Sequence, residues 1–160
     1  MSSAPGTPAT VALDAAGVPF TPHTYAHADT ASSFGEEAAA LLGLDEGQVF
    51  KTLVVQADDA LVVAVVPVSG TLDLKKLAAA VGAKKAAMAD PALASRRTGY
   101  VVGGISPVGQ KARLRTVIDE TAELYDTVFV SGGRRGFDIE LAPADLARVT
   151  GAAFAPVARG

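Results

Sequence analysis

The sequence predicts a mixed α/β domain, a mixed sheet with flanking helices, on three observations. Two Val-rich runs, Val49 to Val55 and Leu61 to Val66, are separated only by a short polar turn containing Asp58-Asp59-Ala60. Phe137, Ile139 and Leu141 alternate with Asp138 and Glu140, the period of a strand with one buried face. Helical and strand-like segments are interspersed without a strict βαβ rhythm, which argues against an all-parallel sheet.

Taken in order, Thr7 caps a helix over Pro8 to Ala16, with proline in the first turn and Gly17 past the end. Phe20 to Tyr25 is β-favouring. Ser33-Phe34-Gly35-Glu36 fits a capping box for a helix running to Leu42 and closed by Gly43. The two Val-rich runs form a hairpin, and the second, apolar on both parities, belongs in the middle of a sheet. Leu72 to Val81 reads as a helix stopped by Gly82, and Pro91 to Arg96 as another capped by Asp90. Gly99 to Gln110 is an apolar, glycine-rich loop. Thr127 to Val130 and Phe137 to Leu141 are strands joined by Ser131-Gly132-Gly133-Arg134-Arg135-Gly136. Pro143 to Val149 is a last helix and Ala152 to Val157 a last strand. Residues 1–6 read as a tail and 7–160 as a single domain.

The 160 residues, 49% hydrophobic and 19% charged, exclude a disordered chain. With no cysteine, a disulfide framework, a cysteine-ligated metal and a cysteine nucleophile are all excluded. The longest apolar stretch, Leu61 to Val68, falls short of the ~20 residues that span a bilayer. The first ten residues lack the pattern of a signal peptide, so a soluble, cytoplasmic protein is expected, with no membrane partner. Net charge is −3, but unevenly placed: −6 over residues 1–50, +6 over 51–115 and −3 over the remainder. A basic middle on an acidic chain suits a phosphate-bearing partner; the plainer reading is that Lys75/Lys76, Lys84/Lys85 and Arg96/Arg97 are separate solvated pairs. Neither glycine-rich nucleotide fingerprint, GxGxxG or GxxxxGK[ST], is present.

Three places carry possible chemistry. Lys51-Thr52 is the only polar pair in an apolar strand, and its ammonium needs water, an acid or an anionic ligand; alternatively it is an edge lysine that blocks sheet association. The segment Gly103-Gly104-Ile105-Ser106-Pro107 can present backbone N–H groups to a polarised carbonyl, or be an ordinary tight turn. Ser131 to Gly136 could wrap a phosphate with its arginines or be a flexible hairpin. Asp138, after it, is placed to fix a substrate amino group or to pair with Lys51. His23 and His27 lie ~13 Å apart if extended, too far to share a metal, and no GxSxG elbow is present, so neither a metal site nor a serine triad is expected. A fold with a strand lysine, donor-rich loops and no nucleophile suits a ligand that is already activated, such as an aminoacyl-tRNA ester.

The ordered blocks His23-Thr24-Tyr25, Phe34-Gly35, Val49-Phe50-Lys51-Thr52-Leu53, Leu72 to Lys76, Ala89-Asp90-Pro91, Thr98 to Lys111, Val130 to Gly133 and Gly136 to Leu141 resemble the YbaK/EbsC family of trans-editing deacylases. These are relatives of the editing domain inserted in bacterial prolyl-tRNA synthetase, and the resemblance runs from about Thr7 to Arg159. It implies a distorted, barrel-like mixed sheet and a pocket for the aminoacyl end of tRNA. It places catalytic roles on Lys51, Gly103, Ser131 and Asp138, and substrate binding on Tyr25, Phe34, Thr52, Gly104, Ile105, Ser106, Pro107 and Gly133. The activity implied is release of cysteine from Cys-tRNA(Pro), with the substrate's own thiol attacking the ester and departing as a thiolactone. No cofactor, metal or DNA is implied, and prolyl-tRNA synthetase is the implied partner. The alternatives are an Ala- or Ser-tRNA deacylase using water, and a silent aminoacyl-tRNA- or synthetase-binding module. The basic segment 75–97 is the expected tRNA contact.

Overall fold

A computed structural model describes residues 6–25 and 39–159. Helix α1 (Pro8–Ala16) opens on Thr7, whose hydroxyl accepts from the Thr10 amide, and closes on Gly17 in the left-handed region. Strand β1 (Thr21–Thr24) follows. Residues 39–42 are helical and end at Gly43; the start of that expected helix, with Phe34 and His27, lies outside the described residues.

The Val-rich runs pair antiparallel as β2 (Phe50–Ala57) and β3 (Ala60–Pro67), turning at Asp58 and Asp59. Strand β3 is buried over seven of its eight residues and lies inside a five-stranded sheet, as its apolar composition requires. Its other neighbour is the parallel strand β6 (Arg115–Asp119), which pairs in parallel with β9 (Ala153–Ala155); β5 (Ala86–Met88) lies along the outer edge of β2. A second sheet holds β1, β8 (Phe137–Leu141) and β7 (Val128–Arg134), with β8 in the centre. A parallel bridge between Val49 and Phe129 joins the two sheets where β2 begins.

The barrel expected from the resemblance is not closed among the described residues. The five-stranded sheet ends at β5 on one side and β9 on the other, and among the described residues backbone pairing joins the two sheets only at the Val49–Phe129 bridge. Two further elements differ from expectation. Leu72 is not the start of a helix but the end of strand β4 (Thr71–Leu72), paired with β10 (Ala158–Arg159). Asp73 then caps α2 (Leu74–Val81), accepting from the Lys75 and Lys76 amides, and its second oxygen receives the Arg159 guanidinium at 2.9 Å. The segment 131–134 is strand rather than hairpin loop, with the turn confined to Arg135-Gly136.

Helix α3 (Pro91–Thr98) starts on Asp90 and α4 (Pro143–Thr150) follows β8. The main core fills the space between the sheets: Phe50, Val63, Val65 and Ile118 from one meet Val128, Val130, Phe137 and Ile139 from the other, with Leu13 of α1 and Leu146 of α4. A second core, built on Val55, Ala64, Val66 and Val117, packs under Leu77 of α2. Asp119, buried where β6 ends, accepts from the Thr121, Val157 and Ala158 amides. Burial works to raise its pKa, but a hydrogen bond from the Thr121 hydroxyl together with these amide bonds outweighs it and holds the carboxyl below its ordinary value. Among the described residues no helix is long and apolar enough to cross a membrane.

Candidate active site

A cavity of about 300 Å³ opens at the seam between the two sheets. Its walls come from the first half of β2, from Ser131 and Asp138 of β7 and β8, from the 102–105 loop, and from α3 with the residues leading into it. Seven of the residues expected at the site line it: Tyr25, Lys51, Thr52, Gly103, Ile105, Ser131 and Asp138. Sequence reasoning missed the apolar wall made by Val54, Met88, Pro91, Ala94 and Val102. These are ordinary aliphatic residues, and only the tertiary course of the chain collects them.

Asp138 is set by strand alternation. Phe137, Ile139 and Leu141 turn into the core, which sends Asp138 to the opposite face. It lies directly across from His23 on β1 and Ser131 on β7. Only 6% of it is exposed, and burial pushes its carboxyl up to about 7, against the opposing effect of a hydrogen bond from the Tyr25 hydroxyl. The neutral form is therefore favoured by the fold between the unfolded value near 4 and about pH 7. In that window the folded state binds the extra proton, so stability falls as pH rises through it. The ionised carboxyl then costs up to roughly 4 kcal/mol relative to the protonated one. Asp138→Asn cannot ionise, so its melting temperature should exceed the wild type's at pH 8, with the gap closing by pH 4. An equal gap at both pH values, read by thermal melts, would contradict this account of the carboxyl.

Lys51 does not pair with Asp138. Its ammonium donates to the Gly70 carbonyl at 3.1 Å, on the turn that follows β3. Lys51 lies on the cavity side of β2 and is half-buried, and its four-carbon stem leaves the tip free to change partner. Next to it, the Thr52 hydroxyl is buried with no hydrogen-bond partner among the described residues. A buried hydroxyl left so costs about 1–3 kcal/mol, a cost that a bound ligand removes.

The glycine-rich loop is held from behind. The Tyr100 hydroxyl donates to the Val108 carbonyl at 2.6 Å, and burial raises its pKa to about 12. The Arg135 guanidinium donates twice to the Val102 carbonyl, at 3.1 and 2.7 Å. Gly104 lies so close to the Arg134–Arg135 backbone that a Cβ there would sit 2.9 Å from the Arg134 Cα. Its amide is bonded to the Val101 carbonyl, whereas the amides of Gly103 and Ile105 carry no hydrogen bond among the described residues. Gly103 takes φ +90°, a conformation that favours glycine. The result is a loop held in place, with two unbonded amides on residues that line the cavity.

Of the other expected residues, Phe34 lies outside the described residues and four lie behind this wall. Gly104, Ser106 and Pro107 are buried; the Ser106 hydroxyl accepts from the Val108 amide and so shapes the turn. Gly133, at φ +108°, lets Tyr100 and Thr7 pack against the strand. The bulge at Gly132-Gly133 follows Ser131, whose hydroxyl accepts from the Gly133 amide. His23 stands in the same row as Asp138 and Ser131, yet its Nε2 bonds Glu140 at 2.9 Å and its ring packs on Phe129. No serine–histidine pair forms among the described residues.

A small, mostly apolar cavity with a carboxyl, an ammonium and two backbone donors is the kind of site that positions an activated ester. Comparison with known proteins places it. Residues 27–149 match the family model for the aminoacyl-tRNA editing domain. A protein of Enterococcus faecalis, provisionally named Cys-tRNA(Pro)/Cys-tRNA(Cys) deacylase EbsC, is 40% identical over 141 residues, covering 88% of this chain and 85% of its own. A crystal structure described, also provisionally, as a trans-editing enzyme for prolyl-tRNA synthetase superposes with a TM-score of 0.82 at 28% identity, over 96% of each chain. A proline–tRNA ligase from a Geobacter species is 36% identical over 88 residues, which are 55% of this chain and 15% of the ligase. The chain belongs to the aminoacyl-tRNA editing domain family, in its YbaK/EbsC branch. It is an aminoacyl-tRNA deacylase of the trans-editing type.

Proposed function

We propose that this deacylase clears cysteine from mischarged Cys-tRNA(Pro), and that the cysteine's own thiol performs the attack. The observation that carries the reading is the chemistry of the cavity wall: it supplies a carboxyl, an ammonium and backbone N–H donors, but no activated nucleophile. The chain contains no cysteine, and its one cavity serine is not paired with a base among the described residues. The provisional name of the Enterococcus relative and the partial match to a proline–tRNA ligase support the choice of amino acid and tRNA.

In this reading Asp138 receives the substrate's ammonium. The incoming positive charge draws the carboxyl into its ionised form, which repays the burial of both charges. Gly103 and Ile105 amides hold the ester oxygen as negative charge develops on it. Lys51 leaves the Gly70 carbonyl for the terminal nucleotide. The thiol sulfur bonds the carbonyl carbon, the bond from that carbon to the ribose oxygen breaks, and the thiol proton ends on the departing ribose oxygen. Free tRNA and a strained thiolactone result, and water opens the thiolactone to cysteine. Tyr25 orients Asp138, Ser131 stands beside it, and the Thr52 hydroxyl meets the ligand. Prolyl-tRNA synthetase, the source of the mischarged tRNA, is the partner that hands it over.

The test is loss of ester from Cys-, Ala- and Ser-tRNA(Pro) incubated with the protein. Cys-tRNA(Pro) should be cleared at least about tenfold faster than either of the others, because neither methyl nor hydroxyl matches the nucleophilicity of a thiol. Comparable rates on all three would favour the water-using alternative, and no release from any would favour a binding module.

A further inference from the structure

We infer that an arginine-lined groove beyond the C-terminal turn of α3, next along the helix from the cavity, docks the phosphate backbone at the acceptor end of tRNA. The inference rests on the deacylase reading for the identity of the polyanion, and on the groove's own geometry for its location. The groove has a volume of about 640 Å³. Arg97 lines it from the last turn of α3, Arg113 from the loop before β6, where its guanidinium also reaches the neighbouring cleft at Gly151, and Arg115 from the first residue of β6. These arginines are up to eighteen positions apart in sequence, and the fold assembles them.

The charges there are largely uncompensated. Arg115 donates to the Val81 carbonyl, so one of its nitrogens is used to hold the end of α2. The guanidinium groups of Arg97 and Arg113 make no hydrogen bond or ion pair among the described residues. Two carboxylates share the groove, Asp58 and Asp59. Asp58 is committed to the backbone amides of Lys84 and Lys85, accepting at 3.0 to 3.2 Å. With that carboxylate engaged by backbone, the lining of the groove sets three arginines against two carboxylates, on a protein whose net charge is −3. Like charges gathered without partners destabilise a fold slightly and attract a polyanion strongly.

The groove and the cavity share their walls. On α3, Pro91 and Ala94 face the cavity and Arg97 faces the groove; on β2, Val54 lines the first and Ala57 the second. Lys51 to Ala57 is six residues of strand, about 20 Å. An aminoacyl ester seated in the cavity therefore leaves the next few nucleotides within reach of the arginines. Guanidinium forks suit phosphate oxygens better than lysines do. This regroups the basic segment expected from sequence. Lys75 and Lys76 sit at the start of α2, with the Lys76 ammonium near the Ala158 carbonyl, while Arg113 and Arg115 join from outside the segment.

The experiment measures binding of uncharged tRNA by fluorescence anisotropy across a salt series, with the wild type and the Arg97→Gln/Arg113→Gln double variant. In parallel, turnover is followed on Cys-tRNA and on cysteinyl-adenosine, which has no backbone beyond the terminal nucleoside. The variant should bind tRNA about tenfold more weakly, with the slope of log affinity against log salt reduced by about 2. Its KM for Cys-tRNA should rise in step, while kcat and cysteinyl-adenosine turnover stay at wild-type values. The charge-preserving Arg97→Lys/Arg113→Lys variant should keep the salt slope. Unchanged tRNA affinity and slope would overturn the inference. So would an equal loss on cysteinyl-adenosine, or a defect seen only in stimulation by prolyl-tRNA synthetase, which would make the groove a protein-docking surface. Because the binding arm needs no turnover, a wild type that binds tRNA through these arginines yet leaves Cys-tRNA intact would retain the surface and refute only the substrate reading.

Discussion

Lys51→Ala is expected to lose deacylation by on the order of 100-fold or more while melting within a few degrees of the wild type. Losing the charged contact that Lys51 makes with the terminal nucleotide after leaving Gly70 removes about 3 kcal/mol of the binding that is carried into the transition state. The structural cost is small by comparison. Lys51 is half-buried, its one hydrogen bond is to the Gly70 carbonyl on an accessible turn, and a bond of that sort contributes only about 1 kcal/mol. Alanine also leaves the pairing of β2 with β3 untouched, since Lys51 pairs with Val66 through backbone atoms. Lys51→Arg should recover part of the activity, because the charge returns while the tip differs in shape. Wild-type turnover in Lys51→Ala, with binding also unchanged, would remove this side chain from the reaction.

How far the sequence foretells this arrangement depends on how local each signal is. The caps at Thr7 and Asp90 were legible because each is a side chain and an amide within a few residues. The β2–β3 hairpin was legible from its apolar runs and turn, and the placing of Asp138 from the alternation of its strand. Strands β5 and β6 were not. Ala86–Met88 has only three residues and no β-branched side chain, and Arg115–Asp119 opens and closes on charges that mask its Val-Ile centre. Missing β6 hid the parallel pairing of β3, β6 and β9, which no local pattern announces. At the site, the resemblance named seven residues that line the cavity, yet periodicity could not separate these from Gly104, Ser106, Pro107 and Gly133, which support it from behind. That distinction depends on contacts across 30 residues or more, such as Arg135 with Val102 and Tyr100 with Gly133.

Removing the thiol from the substrate should slow the reaction as much as removing Lys51 from the protein. The cavity provides no thiol and no base-activated hydroxyl among its described walls, so an acyl group without its own nucleophile must wait for water. A four-membered thiolactone is strained, and the donors at Gly103 and Ile105 matter because they offset part of that strain by stabilising the oxygen as the ring closes. 2-Aminobutyryl-tRNA(Pro) has a methyl in place of the thiol, fills nearly the same volume and carries the same ammonium. It should therefore bind like the cysteinyl ester and compete with it at similar concentration, which separates recognition from chemistry. The decisive measurement is the single-turnover rate of ester loss from Cys-tRNA(Pro) and 2-aminobutyryl-tRNA(Pro) at saturating protein. A rate lower by about 100-fold or more for the aminobutyryl ester is the predicted result. Equal rates for the two esters would mean that water, not the substrate's sulfur, breaks the bond.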